Sequence, residues 1–185
     1  MTLTEIANKY TCDKGTEHHE KHGYTEVYSK YIPNTGKYTL LEIGIWHGDS
    51  IKMWNEYNPE LNIHAIDIDR NVLNFIQPSE QVKIYLGNQS DSSFMDKVIS
   101  ESGSPDFIVD DGSHNYQDIV NSFKMLYNKL ADGGIYFIED LHAPHAKVDQ
   151  LRIWISNYFN SFNSGIKKPT SMEWACNNKL LIIKK

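Results

Sequence analysis

Three carboxylates in two short acidic segments are the residues of this sequence best suited to chemistry. Asp111 lies in the first segment, and Glu139 and Asp140 lie side by side in the second. Together they can hold one hard cation, and oxygen ligands without cysteine suit Mg²⁺ or Mn²⁺ rather than structural zinc. His114 follows Asp111 by three residues and can act as a general base toward a hydroxyl group. The alternative is a solvated histidine at a helix start, and the neighbouring acids favour the base.

Polar side chains end each of five short apolar runs in the first 140 residues. Because parallel strands present their carboxyl ends at one edge of a sheet, we expect these side chains to meet in one crevice. Asp and Asn also favour turns and helix caps, but that preference explains poorly the paired acids at two neighbouring strand ends. The polar endings are Glu42, Asp67 with Asp69, the segment Asn88-Gln89-Ser90, Asp110 with Asp111, and Glu139 with Asp140.

The elements that must position these side chains alternate between two periodicities. Runs of strand length, rich in β-branched or aromatic residues, occupy 38–43, 63–68, 82–86, 107–109 and 135–138. Helical stretches lie between them, most clearly where Ile119, Phe123, Leu126 and Leu130 repeat on one helix face. Strand and helix in regular alternation predict a parallel sheet that is covered on both faces.

The C-terminal part departs from that alternation. Two strand-like runs, at 171–176 and 179–183, are separated by Asn177 and Asn178 alone. Asn tolerates a positive φ, so this segment predicts a tight antiparallel hairpin. The predicted fold is therefore α/β and doubly wound, with a mainly parallel seven-stranded, Rossmann-like sheet that ends in an antiparallel hairpin. We expect residues 1–185 to form a single domain, with residues 1–35 as a helical N-terminal lid or cap.

Composition narrows the classes of function. The chain has 185 residues, 40% of them hydrophobic, which suits one globular domain and excludes a disordered chain. A net charge of −6 gives no basic footprint for nucleic acid. No window approaches the ~20 apolar residues of a membrane span, and no basic region followed by an apolar run opens the sequence. We therefore expect a cytoplasmic protein in which Cys12 and Cys176 are free thiols.

The first strand-to-helix turn is a candidate cofactor site. Gly44 lets the backbone approach a ligand closely, and the helix start that follows directs N–H groups toward negative ligand atoms. Asp67, about 20 residues further on, suits a pair of ribose hydroxyls. Several nucleoside cofactors, NAD among them, carry such a ribose, so Asp67 does not choose the cofactor.

Three histidines and three tyrosines crowd the N-terminal region. We interpret the histidines, His18, His19 and His22, as the solvated polar face of a helix. The tyrosines, Tyr24, Tyr28 and Tyr31, follow at helical spacing, and we expect them to pack against the sheet.

Five longer stretches carry a family resemblance. They are DKGT at 13–16, LEIG at 41–44, GDSIKMW at 48–54, DDGSH at 110–114 and GGIYFIEDL at 133–141. With them the sequence resembles the class I S-adenosylmethionine-dependent methyltransferases, and among these the macrolide-sugar O-methyltransferases of the macrocin and mycinamicin type. The terminal hairpin and the absence of Gly-x-Gly-x-x-Gly favour this cofactor over NAD.

The resemblance implies transfer of a methyl group from S-adenosylmethionine to a sugar hydroxyl of a glycosylated metabolite or polysaccharide precursor, with Mg²⁺ or Mn²⁺ bound. It implies that Asp111, Glu139 and Asp140 hold the metal and that His114 is the general base. We expect Lys14 to line the carboxylate end of the cofactor, and we expect a homo-oligomer without membrane contact. The other expected cofactor contacts are Glu42, Gly44, Asp67, Asn88, Gln89, Ser90 and Asp110.

Two other functions stay open. Cephalosporin-tailoring enzymes share the general pattern and are assigned oxidative chemistry, but no His-x-Asp…His set for a redox metal is evident here. The second alternative is a non-catalytic protein that binds S-adenosylmethionine as a sensor or scaffold. The intact acids and His114 weigh against this alternative, and only a measurement of turnover distinguishes it from a methyltransferase.

Overall fold

A seven-stranded sheet runs through the protein, whose computed structural model describes residues 1–160 and 167–185. The strands are β1 (Thr39–Ile43), β2 (Asn62–Asp67), β3 (Val82–Leu86), β4 (Phe107–Asp110), β5 (Ile135–Ile138), β6 (Ser171–Ala175) and β7 (Leu180–Lys184). The α-helices are α1 (Leu3–Lys9), α2 (Thr25–Tyr28), α3 (Asp49–Tyr57), α4 (Ser92–Ser102), α5 (Tyr116–Leu126) and α6 (Val148–Asn160).

The strand order is β3-β2-β1-β4-β5-β7-β6, which confirms the predicted architecture. Strands β1 to β5 pair in parallel, and β7 pairs antiparallel with both β5 and β6. The turn between β6 and β7 contains Cys176, Asn177 and Asn178, all with positive φ. The two asparagines thus adopt the conformation that the sequence predicts for them.

Two regions differ from the predicted elements. The link between β2 and β3 contains a short 3₁₀-helix, Arg70–Asn74, in place of an α-helix. In the N-terminal segment, defined here as residues 1–38, turns connect α1 to α2 where we expected His18 and His22 to lie on a helix. Thr11 and Gly23 have φ values of 54° and 70°, and left-handed backbone at these positions interrupts a right-handed helix.

The core forms two layers because neighbouring side chains on a strand point to opposite faces. One face packs against α3 and the N-terminal segment, through Leu40, Val109 and Phe137 with Tyr28 and Trp54. The other face packs against α4, α5 and α6, through Leu41, Ile108 and Tyr136 with Phe123 and Ile155. Tyr28 meets Phe137 edge-on at 4.7 Å between ring centroids, as expected for a tyrosine that packs on the sheet.

Within the described ranges, no helix combines the length and the apolar character that crossing a bilayer requires.

Candidate active site

Alternation along the strands sends the strand-end acids to opposite faces of the sheet. Glu42 on β1, Asp111 after β4 and Glu139 after β5 point toward the N-terminal segment, whereas Asp110 points toward α5. The three strands are neighbours, and Glu42 is in register with Val109, two residues before Asp111. Three carboxylates therefore lie in a row on one face, and this row is called the acidic row below.

The side chain of Lys14 lies in the middle of the acidic row. Its Nζ donates to Asp111 Oδ2, donates to Glu139 Oε2 at 2.9 Å and lies 3.8 Å from Glu42 Oε1. The side chain is only 1% exposed. Burial opposes its charge, but Asp111, Glu139, Asp13 and Glu42 together raise the pKa of Lys14 well above its ordinary value. The Lys14 ammonium is therefore paired with carboxylates inside the protein, while the residue also lines the cavity, and its place at the carboxylate end of a cofactor stays a prediction.

Backbone hydrogen bonds place Lys14 there. The carbonyl of Lys14 accepts from the Thr25 N–H at 3.1 Å, and the Gly15 carbonyl accepts from Gly23 N–H at 3.0 Å. These bonds fold residues 12–25 back on themselves at the start of α2. The lysine side chain consequently enters the interior from a loop rather than from a helix.

Glu139 faces the interior and not the cavity. Its Oε1 accepts a hydrogen bond from the Tyr28 hydroxyl, its Oε2 accepts one from Lys14, and the residue is 2% exposed. Burial and the neighbouring Asp111 raise the pKa of Glu139 well above its ordinary value. The structure thus does not gather the predicted metal set of Asp111, Glu139 and Asp140, because consecutive residues after a strand point in different directions.

Asp111, His114 and Asp140 are brought together instead. His114 Nε2 lies 3.9 Å from Asp111 Oδ1 and 3.7 Å from Asp140 Oδ2, and one ligand atom from each residue lies within 4.8 Å of the others. All three side chains are partly exposed. The two carboxylates can hold a divalent cation that keeps positions open to solvent or substrate, and the imidazole beside them can accept a proton. This group is called the outer triad below.

Asp140 is held by groups from the N-terminal segment. The Tyr24 hydroxyl donates to Asp140 Oδ1 at 2.7 Å, and His22 Nε2 lies 3.6 Å from the same oxygen. Burial opposes the charge, yet Tyr24, His22 and His114 lower the pKa of Asp140 below its ordinary value. The His22 side chain is only 8% exposed, so the solvated face that we expected for it is wrong.

A cavity of about 630 Å³ opens along the carboxyl ends of the parallel strands. This volume is within the range of small-molecule sites. The predicted residues that line it are Gly44, Asp67, Asn88, Gln89, Asp111, His114 and Asp140. The N-terminal segment closes one side through Thr11, Cys12, Asp13, Lys14 and Glu20.

The end of the cavity away from the outer triad suits a nucleoside. Asp67 Oδ2 accepts from the N–H groups of Ile45 at 2.8 Å and Trp46 at 3.2 Å, which fixes the carboxylate in the cavity wall. Trp46, Ile68 and Phe75 line the same end and are 58%, 73% and 49% exposed. Apolar surface beside a fixed carboxylate can receive a flat ring and a ribose.

Gly44 allows the close approach at this turn. Its φ is 97°, and a Cβ there would collide with the backbone carbonyl of Asp111. Its N–H donates to the Ile66 carbonyl at 2.8 Å, which holds the turn against β2. Only glycine fits both the conformation and the space.

Three predicted cofactor residues lie behind the cavity wall. Glu42 is fully buried, and its Oε2 accepts from Trp54 Nε1 at 3.0 Å; burial raises the pKa of Glu42 to about 7. Asp110 accepts from Ser122 at 2.8 Å on the far face of the sheet, and burial raises the pKa of Asp110 to about 6. Ser90 donates to Asp118 at 2.6 Å. The structure thus does not place Glu42, Asp110 or Ser90 among the residues that line the cavity.

The sequence did not reveal the contacts of four site residues, Lys14, His22, Tyr24 and Tyr28. The tyrosine spacing indicated packing, which is correct for the rings. It carried no signal that the Tyr24 and Tyr28 hydroxyls would meet Asp140 and Glu139.

Comparisons with known proteins agree that this chain is similar to methyltransferases. The family model described as "Methyltransferase domain" matches residues 41–141. Mycinamicin VI 2''-O-methyltransferase of Micromonospora griseorubida is 28% identical over 77% of this chain and 37% of its own length. L-olivosyl-oleandolide 3-O-methyltransferase of Streptomyces antibioticus is 31% identical over 77% of this chain and 38% of its own.

A solved structure has the same fold. It is MycE methyltransferase of the mycinamycin biosynthetic pathway in complex with Mg, SAH and mycinamycin VI, with a TM-score of 0.77 and 23% identity. The match covers 100% of this chain and 53% of that chain. The present chain spans less than two-fifths of the length of the curated relatives named above.

Proposed function

Since the chain belongs to the methyltransferase-domain family, we propose that it transfers a methyl group from S-adenosylmethionine to a sugar hydroxyl, with Mg²⁺ or Mn²⁺ bound. The acceptor is a glycosylated metabolite or a polysaccharide precursor. One observation supports the proposal: the same cavity is lined by the fixed Asp67 carboxylate with exposed apolar side chains beside it and, elsewhere along its wall, by the outer triad. The names of the curated relatives, which are sugar O-methyltransferases, support it.

The cofactor end of the cavity supplies orientation. Asp67 accepts a ribose hydroxyl at Oδ1, the oxygen that takes only one backbone hydrogen bond, from the Asp69 N–H, and Trp46 and Phe75 cover the adenosine. S-adenosylmethionine, when bound, supplies a methyl group on a sulfonium. Holding donor and acceptor in line removes much of the entropic cost of the reaction.

The outer triad acts on the acceptor. A sugar hydroxyl is a weak nucleophile until it loses its proton, and His114 Nε2 is placed to accept that proton. Asp140, 3.7 Å from His114 Nε2, stabilises the imidazolium that results. A divalent cation at Asp111 and Asp140, when bound, would lower the pKa of a coordinated hydroxyl.

The N-terminal segment completes the site in this proposal. We infer that residues 1–35 act as a lid, because Thr11, Asp13 and Glu20 close one side of the cavity. Residues 1–185 then form a single catalytic domain. Cofactor binding should protect residues 10–25 from proteolysis, and absence of protection would exclude the lid. Assembly into a homo-oligomer stays a prediction.

The test is transfer of a labelled methyl group, with and without Mg²⁺, to a panel of nucleotide sugars and glycosylated acceptors. We expect label on a sugar oxygen, loss of turnover in Asp111→Asn, and normal turnover in Asp96→Asn, which changes an exposed carboxylate on α4. Binding of S-adenosylmethionine without turnover on any acceptor would indicate a non-catalytic binding protein. Oxidised products would indicate the tailoring chemistry instead. Equal turnover in the presence of a chelator would remove the metal from the mechanism.

A further inference from the structure

One carboxylate, that of Asp118 in the first turn of α5, joins the loop that carries His114 to the segment that follows β3. We propose that Asp118 is a positioning residue that fastens the His114 loop (residues 111–115) to the β3 exit segment (residues 87–90) and so sets the direction of the general base. The inference rests on the proposed function, because it concerns the placement of the proton acceptor. The methyl-transfer steps of that function do not use Asp118.

Both oxygens of the Asp118 carboxylate accept hydrogen bonds from serine hydroxyls outside α5. Ser113 Oγ donates to Oδ2 at 2.7 Å, and Ser90 Oγ donates to Oδ1 at 2.6 Å. Ser113 directly precedes His114, and Ser90 directly follows Gln89, which lines the cavity. Asp118 therefore links the residue beside the base to the residue beside the cavity wall.

A second connection holds the same serine through its backbone. The Ser113 N–H donates to Gln89 Oε1 at 2.9 Å. Gln89 Nε2 in turn donates to Asp110 Oδ1 at 3.2 Å and to Ser122 Oγ at 3.1 Å. Gln89, Asp110 and Ser122 are at most 7% exposed, so the core fixes this amide. Ser113 is thus held at its N–H by a buried side chain and at its hydroxyl by Asp118.

Capping of α5 does not require the Asp118 side chain. Asn115 is the N-cap residue, and its Oδ1 accepts from the Gln117 N–H at 3.0 Å. A negative charge in the first turn stabilises a helix through the helix dipole, whichever groups its oxygens contact. The pairing of both Asp118 oxygens with serines of other segments is therefore a separate role.

The hydrogen bonds act where the backbone is strained. His114 has a φ of 52°, and a residue other than glycine keeps this conformation only where its surroundings impose it. Ser113 on one side is held by Asp118, and the Asn115 N–H on the other side donates to Ser113 Oγ at 3.2 Å. Without the Asp118 carboxylate the Ser113 hydroxyl loses its acceptor. We expect the loop then to relax and the imidazole to leave its position.

The experiment measures kcat and KM for methyl transfer in Asp118→Ala, in His114→Ala and in the double variant. We expect Asp118→Ala to lower kcat by about 10–10²-fold, because a misplaced base accepts the proton poorly. The KM for S-adenosylmethionine should stay within about threefold of the wild type. In the His114→Ala background, Asp118→Ala should lower kcat no further, because a positioning residue acts only through the group that it positions.

Two further variants separate this role from a general loss of structure. Asp118→Asn keeps the shape and one acceptor oxygen, so it should restore part of the kcat that Asp118→Ala loses. Asp149→Ala is the matched control, since Asp149 is an exposed acid in the first turn of α6 that lies 3.7 Å from Arg152. Its kcat should equal that of the wild type.

Amide hydrogen exchange provides a readout that does not depend on turnover. The Ser113 and Asn115 N–H groups are both hydrogen bonded in the His114 loop. We expect Asp118→Ala to speed exchange in residues 111–115 by about tenfold and to leave exchange in residues 119–126 of α5 unchanged.

The outcomes decide the inference separately from the proposed function. If the wild type transfers methyl groups and Asp118→Ala keeps its kcat, or if its loss adds in full to that of His114→Ala, the inference is overturned and the proposed function stands. If the wild type transfers no methyl group, the proposed function fails and hydrogen exchange decides. Faster exchange confined to residues 111–115 then supports the inference, whereas unchanged exchange, or faster exchange throughout α5, overturns it.

Ser113→Ala serves if Asp118→Ala does not fold. It removes the same hydrogen bond from the other side and leaves the charge in the first turn of α5 in place. The expected losses and the contradicting results are the same as for Asp118→Ala.

Discussion

His114 and Asp140 face each other with Nε2 and Oδ2 3.7 Å apart, and both residues have a backbone φ of 52°. Left-handed backbone in residues other than glycine costs about 1–3 kcal/mol and persists only where the surroundings impose it. Here the two strained positions lie in the loops that follow β4 (Phe107–Asp110) and β5 (Ile135–Ile138), where the chain leaves the sheet. The strain orients an imidazole and a carboxylate toward the same point in the cavity.

Replacing His114 tests its role as the proton acceptor. We expect His114→Ala to lower kcat by about 10²–10⁴-fold, since general-base assistance is lost. The affinity for S-adenosylmethionine should stay within about threefold of the wild type, because His114 lies at the acceptor end. His145→Ala is the matched control, as His145 is exposed and its ring centroid lies 6.5 Å from that of His114. Methyl-transfer kinetics and calorimetry provide the two measurements; unchanged kcat in His114→Ala would exclude the base.

Alanine substitutions at two glycines distinguish the cost of a strained backbone from the cost of a steric clash. Gly44 and Gly133 have φ values of 97° and 79°, but an added Cβ meets the Asp111 carbonyl at Gly44 and nothing within 4 Å at Gly133. We expect Gly133→Ala to reduce the free energy of unfolding by about 1–2 kcal/mol. Gly44→Ala should cost more and should also weaken cofactor binding. Urea unfolding and cofactor titration check this, and equal costs would show that the contact with Asp111 does not constrain the turn.

His64 gives a pH dependence far from the candidate site. Its Nδ1 lies 2.9 Å from the Tyr85 hydroxyl, and burial, aided by Lys83, lowers the pKa of His64 below its ordinary 6.5. The folded state therefore prefers neutral His64, while the unfolded chain takes up a proton as the pH falls through 6.5. We expect the wild type to lose stability relative to His64→Gln below pH 6.5 and to run parallel to it at higher pH. Unfolding free energies measured across this pH range test the prediction. A stability of the wild type, relative to His64→Gln, that rises as the pH falls would mean that the folded protein favours charged His64.

Tyr28 and Tyr31 allow a matched test of the hydrogen bond between a tyrosine hydroxyl and the acidic row. Each hydroxyl donates to a glutamate, Tyr28 to buried Glu139 and Tyr31 to exposed Glu173 at 3.1 Å. We expect Tyr28→Phe to reduce the free energy of unfolding by about 2–3 kcal/mol, because a buried carboxylate oxygen loses its partner. Tyr31→Phe should cost less than about 0.5 kcal/mol, since water replaces the hydroxyl. Similar losses of unfolding free energy in the two variants would show that the Tyr28 hydroxyl does not stabilise buried Glu139.

The local pattern of the sequence was sufficient to locate the framework. Apolar runs at 82–86 and 135–138 coincide with β3 (Val82–Leu86) and β5 (Ile135–Ile138). Asn177 and Asn178 identified the hairpin turn, since few residues tolerate positive φ. Periodicity of two or 3.6 residues, together with turn residues, reports on burial within a short window, and this information is local.

Local sequence patterns could not predict the partners of the strand-end acids. That Asp111 and Asp140 belong to one crevice followed from the parallel sheet, because all carboxyl ends meet at one edge. That Glu139 turns inward, away from Asp140, depends on how Tyr28 and Lys14 pack above the sheet. The separation of Glu42 and Asp110 from the cavity likewise follows from side-chain direction and packing, which no motif specifies.

The sequence by itself determined the alternating strands and helices, the C-terminal hairpin and the crevice of acids, because each depends on patterns within a few residues or on a general rule of parallel sheets. Only the tertiary structure decided that Lys14 would lie against Asp111 and Glu139, 97 and 125 positions away along the chain. A charged side chain shows no local sign of its distant partner. Its position is selected when the N-terminal loop closes over the sheet and a buried ammonium and buried carboxylates must neutralise one another.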